Sequence, residues 1–145
     1  MIKPLEISIK ELIADSGLLG PWTDYRGNTQ QAPKVQLYEF DEFASGIDEG
    51  DLIMLIRNVG NGSGNFLVRE PQMTIVVFAD TAKTKTSLAK HYIELVKQWI
   101  SRNYSKDCIM SVNIVGDVAG PYPLQSGRRY FDLNLSVITD TGESI

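Results

Sequence analysis

The segment from Thr81 to Tyr104, TAKTKTSLAKHYIELVKQWISRNY, carries the strongest periodic pattern in the chain and predicts one long amphipathic helix. It contains no proline and no glycine. Its apolar residues form two adjacent rows at helical spacing, Leu88, Tyr92, Leu95, Trp99 and Ala89, Ile93, Val96, Ile100. The opposite side is polar, with Lys90, Glu94, Lys97, Gln98 and Ser101. A side-chain oxygen of Asp80 or Thr81 is expected to cap the amino end.

The sequence on both sides of this helix predicts strands. Upstream, residues 35–40 alternate between apolar and polar, residues 52–57 form a short apolar run, and residues 66–79 include TIVVF at 74–78. An apolar run with no polar alternation is typical of a strand that is buried on both faces. Downstream, two further strands are predicted from apolar residues on alternate positions: Val112, Ile114 and Val118 in the first, and Phe131, Leu133, Leu135 and Val137 in the last.

The remaining segments predict a short helix and several loops. Leu5, Ile9, Leu12 and Ile13 recur at helical spacing up to Ser16-Gly17, which predicts an N-terminal helix. Glycine, proline and asparagine predict loops at 20–34, 58–65 and 119–127, with a bulge or a point of close approach at Gly116. Two aromatic residues of the first loop, Trp22 and Tyr25, are expected to pack against the body of the protein.

These elements predict a single α+β domain over residues 1–145. A mostly antiparallel sheet of about five strands packs against one long helix, with a short helix at the N-terminus. The chain has 145 residues and a formal charge of −4, which makes nucleic acid an unsuitable main partner because that affinity comes from lysine and arginine. No apolar run approaches the roughly 20 residues of a membrane-spanning helix.

Residues that could support catalysis or metal binding are sparse. The chain has one histidine, His91, and one cysteine, Cys108, so no zinc-binding spacing occurs and no cofactor is expected. The acidic residues between Asp41 and Asp51 are read as a solvated loop. The glycines at 60–64 precede a predicted strand, whereas a phosphate-binding loop leads into a helix. The competing hypothesis is a small-ligand-binding module or an enzyme that uses His91 and the acidic residues at 41–51.

Two adjacent arginines, Arg128 and Arg129, follow the last predicted loop. Neighbouring side chains of a strand point to opposite faces, so the two arginines are not expected to bind one anion together. Arg128 is expected to be exposed at the loop exit. It would then either solubilise the strand or form a bidentate contact with a carboxylate of a neighbouring subunit.

From residue 52 onward the sequence contains, in order, LIMLIRN at 52–58, a Gly/Asn/Ser tip, MTIVVFA at 73–79, YIELVKQWI at 92–100 and GPYPLQSGRRYFDLNLSV at 120–137. This order resembles that of the tail terminator proteins of long-tailed phages and prophages. Residues 20–51 match nothing in that pattern.

The resemblance implies a structural protein that caps the tail tube as a ring, commonly hexameric, and presents the head-joining surface. The implied partners are further copies of the chain, the tail tube protein and a head-completion protein, with DNA only as a passing cargo. The implied location is the host cytoplasm during assembly and then the head-proximal end of the tail. No catalytic, metal-binding or cofactor-binding residue is implied. The expected oligomer or tube interface comprises Arg57, Asn61, Ser63, Asn65, Tyr122, Gln125, Arg128 and Arg129.

Overall fold

Among the residues that the structure describes, six strands form the main sheet and two helices lie on one of its faces. The computed structural model describes residues 4–61, 68–69, 71–103 and 109–140. The elements are α1 (Leu5–Ala14), β1 (Trp22–Thr23), β2 (Thr29–Gln30), β3 (Lys34–Leu37), β4 (Ile53–Asn61), β5 (Val68–Arg69), β6 (Pro71–Phe78), α2 (Thr86–Arg102), β7 (Ile109–Pro123) and β8 (Arg129–Asp140). None of the helices in these residues is long and apolar enough to cross a membrane.

The strand pairing confirms the predicted fold class. From one edge, β3 pairs with β4, β4 with β6, β6 with β8, and β8 with β7. The short strand β5 pairs with β8 beyond the end of β6, so five strand positions cross the sheet. Only the β3–β4 pair is parallel among these pairs. β1 and β2 form a separate two-stranded sheet.

The main core lies between the helices and the sheet face that they cover, here called the inner face. Alternate strand residues such as Met54, Ile75 and Leu133 are fully buried there, as the period-two pattern requires. The predicted apolar side of α2 is confirmed as core. Its fully buried residues are Ala89, Tyr92, Ile93, Val96 and Ile100, whereas Leu88, Leu95 and Trp99 are partly buried.

Two aromatic residues of α2 donate hydrogen bonds to backbone carbonyls in and after α1. The Tyr92 hydroxyl donates to the carbonyl oxygen of Leu18 at 2.8 Å, and the Trp99 indole nitrogen donates to that of Leu12 at 2.8 Å. Burial raises the pKa of Tyr92 well above its ordinary value, so the phenol keeps the proton that it donates. These bonds fix α1 and the chain after it against the long helix.

A second, smaller core covers one end of the opposite face, here called the outer face. Ile53, Leu55, Val76 and Phe78 are buried there, and Phe40, Ile47, Leu124 and Tyr130 pack over them. Phe40 and Ile47 belong to residues 39–51, here called the acidic loop. The prediction that TIVVF forms a strand buried on both faces is therefore confirmed.

Two predicted loops are strand over part of their length. Asn58–Asn61 continues β4, with a register shift between Asn58 and Gly60, and residues 62–67 lie outside the described part of the chain. β7 continues to Pro123, so the turn to β8 spans only residues 124–128. The predicted bulge at Gly116 is confirmed, since the register shifts between Val115 and Ala119. In these two strands the glycine and proline residues interrupt the pairing but do not end the strand.

The end of β3 and the structure of residues 20–34 also differ from the sequence prediction. β3 ends at Leu37, not at residue 40, because Tyr38 adopts a positive φ of 74°, a left-handed conformation that turns the chain out of the extended strand. Residues 20–34, read as a loop, contain the β1–β2 hairpin, whose turn is closed by the Asp24 carboxylate. That group accepts hydrogen bonds from the backbone nitrogens of Arg26 at 2.8 Å and Asn28 at 2.9 Å.

The long helix begins at Thr86, later than predicted, because Asp80 organises a turn before it. Its carboxylate accepts hydrogen bonds from the backbone nitrogens of Thr84 at 3.3 Å and Lys85 at 2.9 Å, and from the Thr84 hydroxyl. Asp80 therefore closes residues 80–85 and does not cap the helix directly. Its burial opposes ionisation, but the hydrogen bonds from Thr84 and Lys85 outweigh this and hold the pKa of Asp80 below its ordinary value.

Replacing Asp80 with asparagine is expected to make the fold less sensitive to acid. A pKa that is lowered in the folded state means that ionised Asp80 stabilises the fold above about pH 4, and that this contribution disappears as the pH falls through the folded pKa. Asp80→Asn should cost about 1.5–3 kcal/mol at neutral pH, the range for hydrogen bonds to a charged group. Urea unfolding across the acid range would measure both effects. Identical acid dependence in the variant and the wild type would contradict the assignment, and Glu39→Gln at an exposed carboxylate provides the control.

Candidate assembly surfaces and the buried arginine

Arg128 is the largest fully buried side chain among the described residues, with 1% of its surface exposed. Its Nη1 donates to the carbonyl oxygens of Asp51 at 2.8 Å and Ala79 at 2.9 Å, and its Nη2 donates to that of Asp48 at 2.8 Å. Its Nε lies 3.3 Å from a carboxylate oxygen of Glu42, which makes an ion pair without the alignment of a hydrogen bond. Arg128 therefore ties the β7–β8 turn to the acidic loop and to the end of β6.

This geometry corrects the expectation that Arg128 is exposed. Its carboxylate partner belongs to the acidic loop of the same chain, not to a neighbouring subunit. The alternation of side chains was predicted correctly, because Arg129 is exposed while Arg128 points inward. The inward direction of Arg128 is not predictable from the sequence, because the three backbone carbonyls that it binds come together only after the acidic loop has folded over the sheet. One signal was available, since residues 39–51 hold acidic residues and no lysine or arginine to balance them.

Further hydrogen bonds hold the acidic loop in place. The Gln36 side chain donates to the carbonyl oxygen of Asp41 at 2.7 Å and accepts from its backbone nitrogen at 2.9 Å. The Asp41 carboxylate accepts from the backbone nitrogen of Phe43 at 3.0 Å. Farther along, the Lys85 ammonium donates to the carbonyl oxygen of Gly50 at 2.7 Å. Phe43 thus sits on a turn held in one shape, yet 87% of its surface is exposed.

An open groove of about 650 Å³ lies beside this turn. Its walls are formed by the acidic loop, the β7–β8 turn and Thr81. Two smaller cavities, of about 290 and 170 Å³, lie between the β1–β2 hairpin and the start of α2. All three are open depressions, a shape that suits contact with another surface better than enclosure of a small ligand.

A row of aromatic rings crosses the outer face next to the groove. Phe40 stacks on Phe78 at 3.9 Å between ring centroids, Phe78 lies 5.4 Å from Tyr130, and Tyr130 lies 5.3 Å from Tyr122. Tyr122 is on β7 and keeps 41% of its surface exposed. The row connects the acidic loop to β7 at the edge of the sheet, so the loop and the edge strand pack against the same series of rings.

The described interface residues fall into two groups, one along β4 from its middle to its end and one at the opposite end of the sheet. Arg57 is exposed on β4, and Asn61 ends that strand opposite Pro71. Tyr122, Gln125 and Arg129 are exposed around the β7–β8 turn, at the end where Ile53 pairs with Phe78. A strand rises about 3.3 Å per residue, so the two ends of β4 lie about 25 Å apart. Ser63, Asn65 and also Cys108 lie outside the described residues.

The residues of the competing enzyme hypothesis do not form a reactive arrangement. The His91 ring lies between Trp22 and Tyr25, with centroid distances of 6.1 and 5.5 Å. Trp22 is buried, as predicted, whereas Tyr25 keeps 55% of its surface exposed. In the acidic loop, Glu42 faces Arg128. Within the described part of the chain no cluster of three or more His, Cys, Asp or Glu residues could hold a metal ion.

Fold and surfaces together define an α+β protein whose exposed groups suit contacts with other proteins. The chain belongs to the phage tail termination protein family, whose model matches residues 17–141. The protein is therefore a structural component of the phage tail. The match includes residues 20–51, which the sequence resemblance left unplaced, and so it includes the acidic loop. A search of curated proteins found no match.

Proposed function

We propose that the protein ends the tail tube by capping it as a ring and that the ring presents the surface to which the head is joined. The observation that supports this most directly is the separation of the predicted contact residues, with Arg57 and Asn61 along β4 and Tyr122, Gln125 and Arg129 around the β7–β8 turn at the opposite end of the sheet. A protein between tube and head needs two separate contact surfaces on a rigid body. Membership of the tail termination family supports the same role.

The two contact groups are assigned by position. Arg57 and Asn61, with Ser63 and Asn65 in the adjoining segment, form the first group. Tyr122, Gln125 and Arg129 form the second. Arg128 is not proposed as a contact, because its donors are used inside the chain. One domain over residues 1–145 is also part of this proposal, supported by a main core that includes residues from Ile9 to Val137.

The ring is proposed to be a closed hexamer of head-to-tail contacts, with the tail tube protein on one side and a head-completion protein on the other. Assembly would take place in the host cytoplasm, and the finished ring would occupy the head-proximal end of the tail. A chain with a formal charge of −4 would let DNA pass as a non-specific cargo, since it repels phosphate.

Light scattering during size-exclusion chromatography, combined with negative-stain microscopy, tests whether the protein forms rings and whether the rings bind the ends of isolated tail tubes. We expect rings at high concentration or at tube ends, and tubes that no longer elongate once capped. Arg57→Glu and Arg129→Glu should each abolish a different step, tube capping or head joining. Arg26→Glu, at an exposed arginine of the separate β1–β2 hairpin, is the control. A protein that stays monomeric and binds no tube end would overturn the proposal.

A further inference from the structure

The tube and head contacts proposed above make no use of the open groove between the acidic loop and the β7–β8 turn. Phe43 forms one wall of this groove and keeps 87% of its surface exposed, the largest fraction of any large apolar side chain in the described residues. Ile47 adds a second apolar side chain to the lining. Aromatic side chains that become buried against a partner are typical anchors of protein interfaces. The groove therefore offers an apolar contact site to another protein.

The walls of the groove are held in one conformation by the chain itself. The Gln36 side chain binds the backbone of Asp41 at 2.7 and 2.9 Å, and the Asp41 carboxylate accepts from the backbone nitrogen of Phe43 at 3.0 Å. On the other side, Nη2 of Arg128 donates to the carbonyl oxygen of Asp48 at 2.8 Å. Because both walls are fixed beforehand, binding a partner costs little conformational entropy of the loop.

The lining of the groove carries a net negative charge. Its charged residues are Glu42, Glu49 and Arg128. Arg128 lies with its Nε 3.3 Å from the carboxylate of Glu42, so these two charges offset each other and Glu49 supplies the excess. Lys83 and Arg129 stand on the adjoining turns and do not belong to the lining. A cation that enters the groove therefore meets Glu49 as an exposed counter-charge.

The rim of the groove adds negative charge and so defines the chemistry of a partner. Glu39, Asp41 and Asp48 of the acidic loop are exposed, and the loop contains no lysine or arginine. Nucleic acid is excluded because its phosphates would be repelled. A segment with lysine or arginine next to apolar residues complements both properties of the groove, since opposite potentials steer association and a cation also stacks favourably on an aromatic ring.

We propose that the groove binds a basic segment of another tail protein, with an apolar side chain of that segment on Phe43 and Ile47 and a lysine or arginine beside Glu49. The chain itself suits this role less well, because its formal charge is −4 and its longest basic run is Arg128-Arg129, of which Arg128 is buried. The proposal concerns one surface of a single chain and does not depend on ring formation. The contact should weaken with added salt, since exposed charges are screened over about 8–10 Å at physiological ionic strength.

An array of overlapping peptides that covers the other tail proteins of the same phage, together with this chain, tests the identity of the partner. The full-length protein should bind peptides of another tail protein in which lysine or arginine stands next to an aliphatic or aromatic residue. Binding only to peptides of this chain would identify a second copy as the partner and overturn the proposal. Binding to no peptide, or only to peptides without basic residues, would overturn it as well.

Fluorescence anisotropy with the peptide that binds best tests the groove, at protein concentrations below those of ring formation. Phe43→Ala should weaken binding by about 30-fold or more, the effect of losing an interface hot spot. Glu49→Lys should weaken it by about fivefold or more, because an exposed ion pair becomes a repulsion. All thermal midpoints should stay close to that of the wild type.

Two variants away from the groove are matched controls. Tyr25→Ala removes an aromatic ring that is 55% exposed on the β1–β2 hairpin, and Asp15→Lys makes the same change of charge as Glu49→Lys at the end of α1. Neither should change the affinity for the peptide. Wild-type affinity in Phe43→Ala, or an equal loss in the controls, would overturn the inference. Since peptide binding is measured on single chains, its failure leaves the proposed ring standing, and failure of the ring leaves the groove standing.

Discussion

Replacing Arg128 with alanine is expected to lower the free energy of unfolding by about 3–5 kcal/mol, the range for removing one partner of a buried charge pair. The variant would leave the carbonyl oxygens of Asp48, Asp51 and Ala79 without their donors and Glu42 without its counter-charge. Each buried acceptor left unsatisfied costs about 1–3 kcal/mol on its own. Urea unfolding followed by circular dichroism would measure the loss.

The adjacent arginine provides a matched control for this variant. Arg129 is exposed, so Arg129→Ala should change the free energy of unfolding by less than about 1 kcal/mol. Arg128→Lys should recover only part of the stability, because a compact ammonium group cannot reach three carbonyls in the way a planar guanidinium does. If Arg128→Ala and Arg129→Ala lost the same small amount, the acidic loop would be held by its apolar contacts alone.

Gly120→Ala is expected to cost about 3 kcal/mol or more through a direct steric conflict, the upper end of the range for overpacking. A Cβ atom at this position would lie 2.7 Å from the carbonyl oxygen of Tyr130 and 2.9 Å from a ring carbon of Phe131. The backbone φ of +129° adds strain for any residue with a side chain. Because Phe131 belongs to the main core, the strain would spread from β7 into β8. The thermal midpoint and the urea midpoint should both fall.

Gly116→Ala separates backbone strain from steric overlap. Gly116 also has a positive φ, at +74°, but no atom lies within 4 Å of an added Cβ. A left-handed conformation alone costs a non-glycine residue about 1–2 kcal/mol. The difference between the two variants therefore measures the overlap at Gly120. Equal losses would show that β7 moves away from β8 easily at that point.

The elements that the sequence predicts well are those set by local periodicity. α2 was identified because its apolar residues repeat at helical spacing, and β8 because Phe131 to Val137 alternate. The start of α2 was misplaced by several residues because Asp80 satisfies the backbone of a turn, a role that cannot be distinguished from helix capping in a sequence alone. The two-sided burial of TIVVF was also predictable, although the residues that cover it were not.

The candidate assembly surfaces were harder to predict because they depend on contacts between distant segments. Arg128 and Asp48 are 80 residues apart, and no spacing rule relates them. Glycine, asparagine and proline at 58–61 and 119–123 favoured loops, yet pairing with β6 and β8 kept both segments in strands. Phe43 was overlooked because a phenylalanine in a sequence is ordinarily assigned to the core.

The edge strand β7 has a consequence for the unassembled protein. Among the described strands it pairs only with β8, so one side of a fifteen-residue strand is open to any other chain. The pairing of its C-terminal half with β8 is interrupted by shifts in register, and Pro121 and Pro123 have no backbone N–H group that could donate a hydrogen bond. Such an edge resists the addition of foreign strands and the aggregation that follows from it. Chains that have not yet been incorporated into a tail are therefore less open to strand addition along the part of β7 that follows Gly116.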